Sequence, residues 1–569
     1  MMRAIGKAVL CMALIVSLLP MIGGPRSVHA SGTVTAYPAP ASLPGTYRSA
    51  DFAVTAGGQN IDLYNAGNNS WNQPITYGYF DMSGSVTVTV TPQFAFGSFR
   101  IVPQSLGIAG TRSGNTITFT LDRPANVSLV FDGNYQGKTL HLFAEPHETD
   151  IPDANDPNVI YFGPGYHDLG GPSTTPVMVS SGQTLYIAGG AVVRGRIRAE
   201  NASNVTIRGR GILLNDYASQ NGYDDIALTL NFVTGATVKD IIVNRNHGSW
   251  TAAVYGSSQV NVTGYKAVSP KFASTDGFNI ISSHDVTFDG TFIRSADDAA
   301  AIKGMSAGQP SDSLPVYNIT YKNAQLWSDA NNAIEIGAET KAAYFSHIRY
   351  QNIDVLYNFD DRNHPDTLPD RSAINIFSLD GTYFNDITFE NIRVEKAKRL
   401  INAQMDETFY FGAITGDWSD PGGMSGITYR NITSYSDGSN EIKLAGWDGS
   451  HRISDVTFDN LVINGSTVTD LNDPRFNVNP YVNDLKIISP SGTVKSRYHA
   501  YADFSTAQGG SGWFYKVWNS TAGMTNMSWN PDGSNHWRGP NTYDSVWTEN
   551  GDVMLHPDNR QVMLEWSAP

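Results

Sequence analysis

The chain has 569 residues, of which 38 are basic and 53 acidic, so it carries a formal charge of −15 at pH 7. Such a surface repels nucleic acid and anionic lipid and offers an acidic polymer no general attraction, which favours a neutral partner. The length exceeds what one compact core serves, and charged residues are only 16% of the chain while Gly and aromatics are plentiful, which suits an extracellular all-β protein of several domains or one that grows lengthwise.

Residues 1–30 read as a secretory signal. Arg3 and Lys7 form its basic start, Ala8 to Leu19 its apolar run, and Val28-His29-Ala30 its small-residue cleavage site. Pro20, Gly23, Gly24 and Pro25 end the run well before the roughly twenty apolar residues that a membrane span needs. The mature chain is therefore expected to begin near Ser31, to be secreted, and to carry a charge of −18 once Arg3, Lys7 and Arg26 are gone. Cys11 is the one cysteine and lies within the signal, which leaves the mature protein no disulfide, thiol nucleophile or cysteine metal site.

Residues 31–150 contain short alternating runs, among them Val86-Thr87-Val88-Thr89-Val90, Thr116-Ile117-Thr118-Phe119 and Val127-Ser128-Leu129-Val130, separated by Gly, Pro and Asn turns. This spacing predicts an antiparallel β-sandwich. Pro146 and the Asp- and Pro-containing stretch 150–157 read as a linker.

From 151 to 490 the pattern becomes a repeat of the form apolar-x-apolar-x-Asn/Gly. It occurs as Val205/Ile207/Gly209, Val260/Val262/Gly264, Val286/Phe288/Gly290, Ile319/Tyr321/Asn323 and Ile348/Tyr350/Asn352, then as Ile387/Phe389/Asn391, Ile427/Tyr429/Asn431 and Val456/Phe458/Asn460. A degenerate copy stands at Ala236/Val238/Asp240. Successive copies are 24 to 40 residues apart, as in a solenoid whose coils carry loop insertions, and no amphipathic helix lies between them. A parallel β-helix is the architecture that remains. Asn323, Asn352, Asn391, Asn431 and Asn460 share one position, where stacked amides would bond coil to coil.

Residues 497–569 hold six of the eleven tryptophans, Trp513, Trp518, Trp529, Trp537, Trp547 and Trp566, and predict a small separate β-module. Core packing accounts for most of these rings, although exposed ones would stack on sugars. The strand-like run Val562 to Trp566 just before the last residue leads to the expectation that this module is incomplete.

A second row aligns strand openings at Trp250, Asp276, Asp298, Asn332 and Ser372. It places Asp276 one coil before Asp298, 22 residues on, with neighbouring strands about 4.8 Å apart. Together with Asp297, three carboxylates then share a space in which like charges cannot all ionise freely, so at least one is expected to hold a proton near neutral pH. Either acidic motif alone would read as a solvated turn; their register makes them candidate catalytic residues.

Thr275-Asp276-Gly277, Ala296-Asp297-Asp298 and Ala301-Ile302-Lys303 resemble the catalytic strands of two related β-helix families, the polygalacturonases and the dextranase/isopullulanase family, glycoside hydrolase families 28 and 49. The resemblance runs from about Val159 to Val462. It includes Ile160 to Gly165 and Leu185 to Gly195, which look like the first coils of dextranase-type enzymes, as does a sandwich before the helix. It implies a right-handed parallel β-helix and an inverting hydrolase of glycosidic bonds, with Asp297 the general acid and Asp276 and Asp298 activating the water. Carboxylates about 5 Å apart would by the usual geometric rule imply retention instead.

The sequence departs from the polygalacturonases where those enzymes hold uronate carboxylates. The coil after the Asp pair reads Asn332-Ala333-Ile334-Glu335-Ile336-Gly337, and no Arg-Ile-Lys strand follows. A site exposing Glu335 would repel a uronate, so a neutral polysaccharide such as an α-glucan is the expected substrate, cut within the chain by a monomer without metal or cofactor. His247 and Trp250 are candidates for lining the cleft one coil earlier, and Lys303 for binding a substrate hydroxyl or pairing with an acid. Asp360, Asp361, His364 and Asp366 belong to an insertion read as a solvated loop or a cleft wall. The competing readings are a polygalacturonase-like hydrolase, a β-helix polysaccharide lyase with a calcium-binding acid cluster, and a non-catalytic glycan-binding solenoid.

Overall fold

The computed structural model describes residues 32–171, 174–217, 225–271, 274–304, 314–359, 371–406, 421–497, 504–510, 513–519, 523–541, 543–549, 552–557 and 561–566. Residues 1–30, expected to be a secretory signal, and the insertion with Asp360, Asp361, His364 and Asp366 lie outside the described residues. Among the described residues no helix is long and apolar enough to cross a membrane.

The chain is an all-β protein whose centre is a right-handed parallel β-helix. Each coil contributes to three faces. The face bearing the Asn/Gly motif includes Ser203–Gly209, Ser258–Thr263, His284–Asp289 and Val316–Lys322. A second face, with Ile212–Asn215, Lys266–Ser269, Phe292–Ser295 and Gln325–Ser328, joins the first in one 21-stranded sheet. The third face is a separate 11-stranded sheet that includes Ala252–Tyr255, Phe278–Ile281, Ala300–Lys303, Ile334–Ala338 and Ile374–Ser378.

The motif has two separable physical roles. Its middle apolar position points inward, and the rings of Phe288, Tyr321, Tyr350, Phe389, Tyr429 and Phe458 stack one upon the next at 4.2 to 5.5 Å through the core. Its last position turns the chain with positive φ, between 52° and 59° at Asn323, Asn352, Asn391, Asn431 and Asn460, a region that Gly and Asn enter at least cost. The amides bond between coils: Asn352 donates to Asn323 at 2.7 Å, Asn431 to Asn391 at 3.0 Å and Asn460 to Asn431 at 2.9 Å. The expected ladder is therefore present in these steps.

The N-terminal sandwich packs a six-stranded sheet on a five-stranded one around Phe52, Val88, Phe119, Leu129 and Leu142. It is not wholly antiparallel, because Pro74–Ser83 and Thr139–Pro146 run parallel. This pairing lies in a sheet buried on both faces, the setting in which parallel strands are usually found. The sheet's outer face, with Tyr64, Tyr77, Tyr79 and Phe143, packs on Ile212, Ile242, Phe292 and Trp327 of the helix's second face. At the other end, a three-stranded and a four-stranded sheet enclose Tyr515, Val517, Met527, Trp537 and Val546. Trp537 is core and Trp518 is 39% exposed.

Candidate active site

The third face carries the site. The backbone register continues the expected row, since Ala253 pairs with Asn279, Phe278 with Ala300, Ala300 with Ile334 and Ile334 with Ile374. Asp276 and Asp298 thus stand on adjacent rungs, and the Gly277 N–H donates to the Asp298 carbonyl at 2.8 Å. Gly277 is no ordinary turn residue. A Cβ there would lie 2.1 Å from Ile293 Cγ2 and 2.6 Å from the Ala299 carbonyl, so only glycine lets the two rungs close at this point.

Asp276, Asp297 and Asp298 are 2%, 8% and 6% exposed, and one oxygen of each lies within 4.8 Å of the others. Asp297 Oδ1 accepts from the Asn331 amide at 2.5 Å and from the Asp298 N–H at 2.9 Å. Asp298 Oδ1 accepts from the backbone and side-chain N–H groups of Asn332 at 3.0 and 3.1 Å. Among the described residues Asp276 Oδ2 has no hydrogen bond, but it lies 3.4 Å from the Lys303 ammonium, which also reaches Glu339 at 2.9 Å.

Burial and the neighbouring carboxylate Asp297 push Asp298 up to about 7, against the pull of Lys303. Burial raises Asp276 well above the carboxylate range; Lys303 opposes this and Asp297 and Asp298 add to it. Burial alone would depress Lys303, yet Glu339, Asp276 and Asp298 hold it well above the usual lysine range, so it remains a cation. The cluster therefore stores a proton at neutral pH beside a fixed positive charge. Three carboxylate oxygens at this spacing are also ligands that a hard divalent cation accepts.

The other candidates divide. Trp250 joins the cluster, its ring 4.9 Å from the Lys303 ammonium. His247 flanks it through the backbone, with its carbonyl 3.5 Å from Thr275 Oγ1 and its ring bonded to the Gly248 N–H rather than to an acid. Glu335 corrects an expectation. It is 1% exposed, bonded to the Asn375 amide at 2.6 Å, and raised well above the usual range by burial and Asp298. It follows that Glu335 presents no exposed charge to a ligand. Asn331, Asn332 and Glu339 were not singled out as site residues from sequence. Asn332 stood in the aligned row, but Asn331 and Glu339 lie in turns outside it.

No protein-family profile matches the sequence, and no curated protein matches it. Among solved structures, Dex49A from Penicillium minioluteum superposes with a TM-score of 0.54, covering 80% of this chain and 96% of its own at 16% identity. This chain shares the fold of Dex49A. A family 28 exopolygalacturonase from Yersinia enterocolitica matches at 13% identity over 80% of this chain and 92% of its own, with a TM-score of 0.40. A polygalacturonase from Erwinia carotovora ssp. carotovora matches at 18% identity over 53% and 85%, with a TM-score of 0.37. At such identities the likeness is one of architecture, and the chemistry rests on the side chains of this site.

Proposed function

We propose that the chain is a secreted glycoside hydrolase that cuts within a neutral α-glucan, dextran foremost, with inversion at the anomeric carbon; inversion here follows the resemblance to families 28 and 49, against the rule that carboxylates as close as these, within 4.8 Å, go with retention. The observation that carries this reading is the convergence of Asp276, Asp297 and Asp298, with a proton retained to about pH 7. Asp297 gives a proton to the leaving glycosidic oxygen as the C–O bond breaks. Asp276 and Asp298 take a proton from the water whose oxygen attacks the opposite face of the ring. The proton that burial keeps on Asp298 passes to Asp297 as substrate binds, which leaves Asp298 free to accept a proton from the water. Lys303 offsets the charge left behind, and Trp250 offers a ring to a sugar.

Lys303 is occupied by acids, and Arg399, two coils beyond Asn332 in the same row, lies 3.6 Å from Glu441. That pairing and the acidic surface favour a neutral substrate. Arg399 is also the residue that favours the second reading, a polygalacturonase-like hydrolase. Incubation with dextran, pullulan, α-1,3-glucan and polygalacturonate, with product sizing and polarimetry, separates them. Release of oligosaccharides from dextran that mutarotate as inverted products is expected. Reducing ends from polygalacturonate alone would establish the second reading, and an ultraviolet-absorbing unsaturated product or no cleavage of any glycan would remove hydrolysis altogether.

A further inference from the structure

The strand that leads to Asp297 is anchored in the N-terminal sandwich. Arg294, in Phe292–Ser295, is fully buried and pairs with fully buried Asp329, its Nη2 lying 3.0 Å from Oδ1 and 3.2 Å from Oδ2. Its other terminal nitrogen leaves the β-helix, donating to Thr139 Oγ1 at 2.6 Å and to His141 Nε2 at 3.0 Å on the sandwich strand Thr139–Pro146. A guanidinium has only donors, so Nε2 must accept, and the imidazole proton sits on Nδ1, which faces Ser128 Oγ at 2.7 Å. Trp327 closes the cluster, its indole N–H donating to Asp329 at 2.8 Å and its ring 4.3 Å from the Arg294 guanidinium carbon. The charged groups facing His141 are Arg294 and, behind it, Asp329.

The ends of two β-helix strands, Phe292–Ser295 and Gln325–Ser328, hold the proposed acid. Asp329 N–H donates to the Ser295 carbonyl at 2.9 Å. Ser295 Oγ and Ser328 Oγ both donate to the Asp297 carbonyl, at 2.7 and 2.9 Å. Ser328 Oγ accepts from the Asn331 N–H at 2.9 Å, and the Asn331 amide holds the Asp297 carboxylate. A continuous chain of buried polar contacts therefore runs from Ser128 and His141 in one domain to the Asp297 carboxylate in the next.

From this geometry we infer that the sandwich is part of the catalytic apparatus: His141, acting through Arg294 and Asp329, is a positioning residue for Asp297 and Asn331. Burying an ion pair at a domain interface is a poor way to gain stability alone, since apolar residues of equal volume would serve as well. A guanidinium fixed at both ends instead determines where Ser295 and Asp329 lie, and a displacement of one ångström at a reacting carboxylate costs much of the rate. The inference rests on the hydrolase reading for its kinetic consequence, but not for its structural one.

The test compares full-length His141→Leu, His141→Gln and Thr139→Val with wild type at a temperature where circular dichroism shows all to be folded. Gln keeps one acceptor for Arg294 and one donor for Ser128, whereas Leu keeps neither. His141→Leu is expected to lower kcat about tenfold with KM changed less than about twofold, and Gln to restore most of the loss. The double variant Thr139→Val with Asn331→Ala, whose single changes act on one chain of contacts, is expected to be non-additive. Unchanged kcat in folded His141→Leu, or Gln no better than Leu, overturns the inference. Hydrogen exchange of peptides covering 293–299 and 327–333 tests it without any substrate. Faster exchange in His141→Leu, or in Thr139→Val if the leucine variant does not fold, supports it, and wild-type exchange refutes it. If wild type cleaves no glycan yet exchange responds, only the hydrolase reading fails.

Discussion

Two faces of the same helix stack like residues on like, with opposite results. On the motif face, asparagine stands above asparagine, and because an amide both donates and accepts, each partner satisfies the next: Asn460 donates to Asn431, and Asn431 to Asn391. On the third face aspartate stands above aspartate, and ionised carboxylates cannot donate to one another: among the described residues Asp276 Oδ2 has no hydrogen bond, while burial and the adjacent Asp297 carboxylate let Asp298 keep its proton to about pH 7. Repetition of a self-complementary group builds stability, and repetition of a group that cannot pair with itself stores free energy for chemistry.

The largest expected effect breaks the second stack. Asp297→Asn should reduce hydrolysis by about 10³-fold or more, with circular dichroism and melting unchanged or improved, and near wild-type turnover would contradict the assignment. A glycosyl fluoride, whose leaving group needs no proton, should recover much of that loss in Asp297→Asn but little in Asp276→Asn.

Next in size is a break in the first stack. Asn431→Val removes both ladder bonds and places a β-branched residue at a φ of 52°. The midpoint of urea unfolding should fall by the equivalent of about 2–4 kcal/mol, whereas Asn431→Gly, which accepts that φ, should lose only about 1 kcal/mol. Equal losses would show that the conformation, rather than the amide, is unimportant.

The comparison sharpens with pH. Asp298 releases its proton near 3.8 when unfolded and near 7 when folded, so the folded state binds the extra proton between these values. Its stabilising contribution is complete below about 3.8 and is lost as pH rises through 7. Asp298→Asn should therefore melt a few degrees above wild type at pH 8, with the difference vanishing towards pH 4, while losing activity. A variant that melts lower at both pH values would contradict the burial of a strained carboxylate. The smallest effect concerns Lys303: replacing it with Met removes the cation that opposes protonation of Asp276, and the rise of kcat/KM with pH should move to higher pH rather than lower.

Much of this was legible because a solenoid turns sequence spacing into spatial position. The 22 residues between Asp276 and Asp298 make one coil, so their adjacency followed from alignment, as did the amide bonds from Asn352 to Asn323 and from Asn460 to Asn431. Glu339, Asn331 and the burial of Glu335 did not follow, because turns between faces vary in length and a strand's outward residue can still be covered by other chain.

The sequence by itself determined the elements and the coil register, since hydrophobic alternation and the need for Gly or Asn at positive φ recur at every turn and act over a few residues. The tertiary structure alone decided that Lys303 is shared between Asp276 and Glu339, and that the sandwich docks through His141 on Arg294. Those contacts join residues 36 and 153 apart, and no local rule relates such positions until the faces have packed.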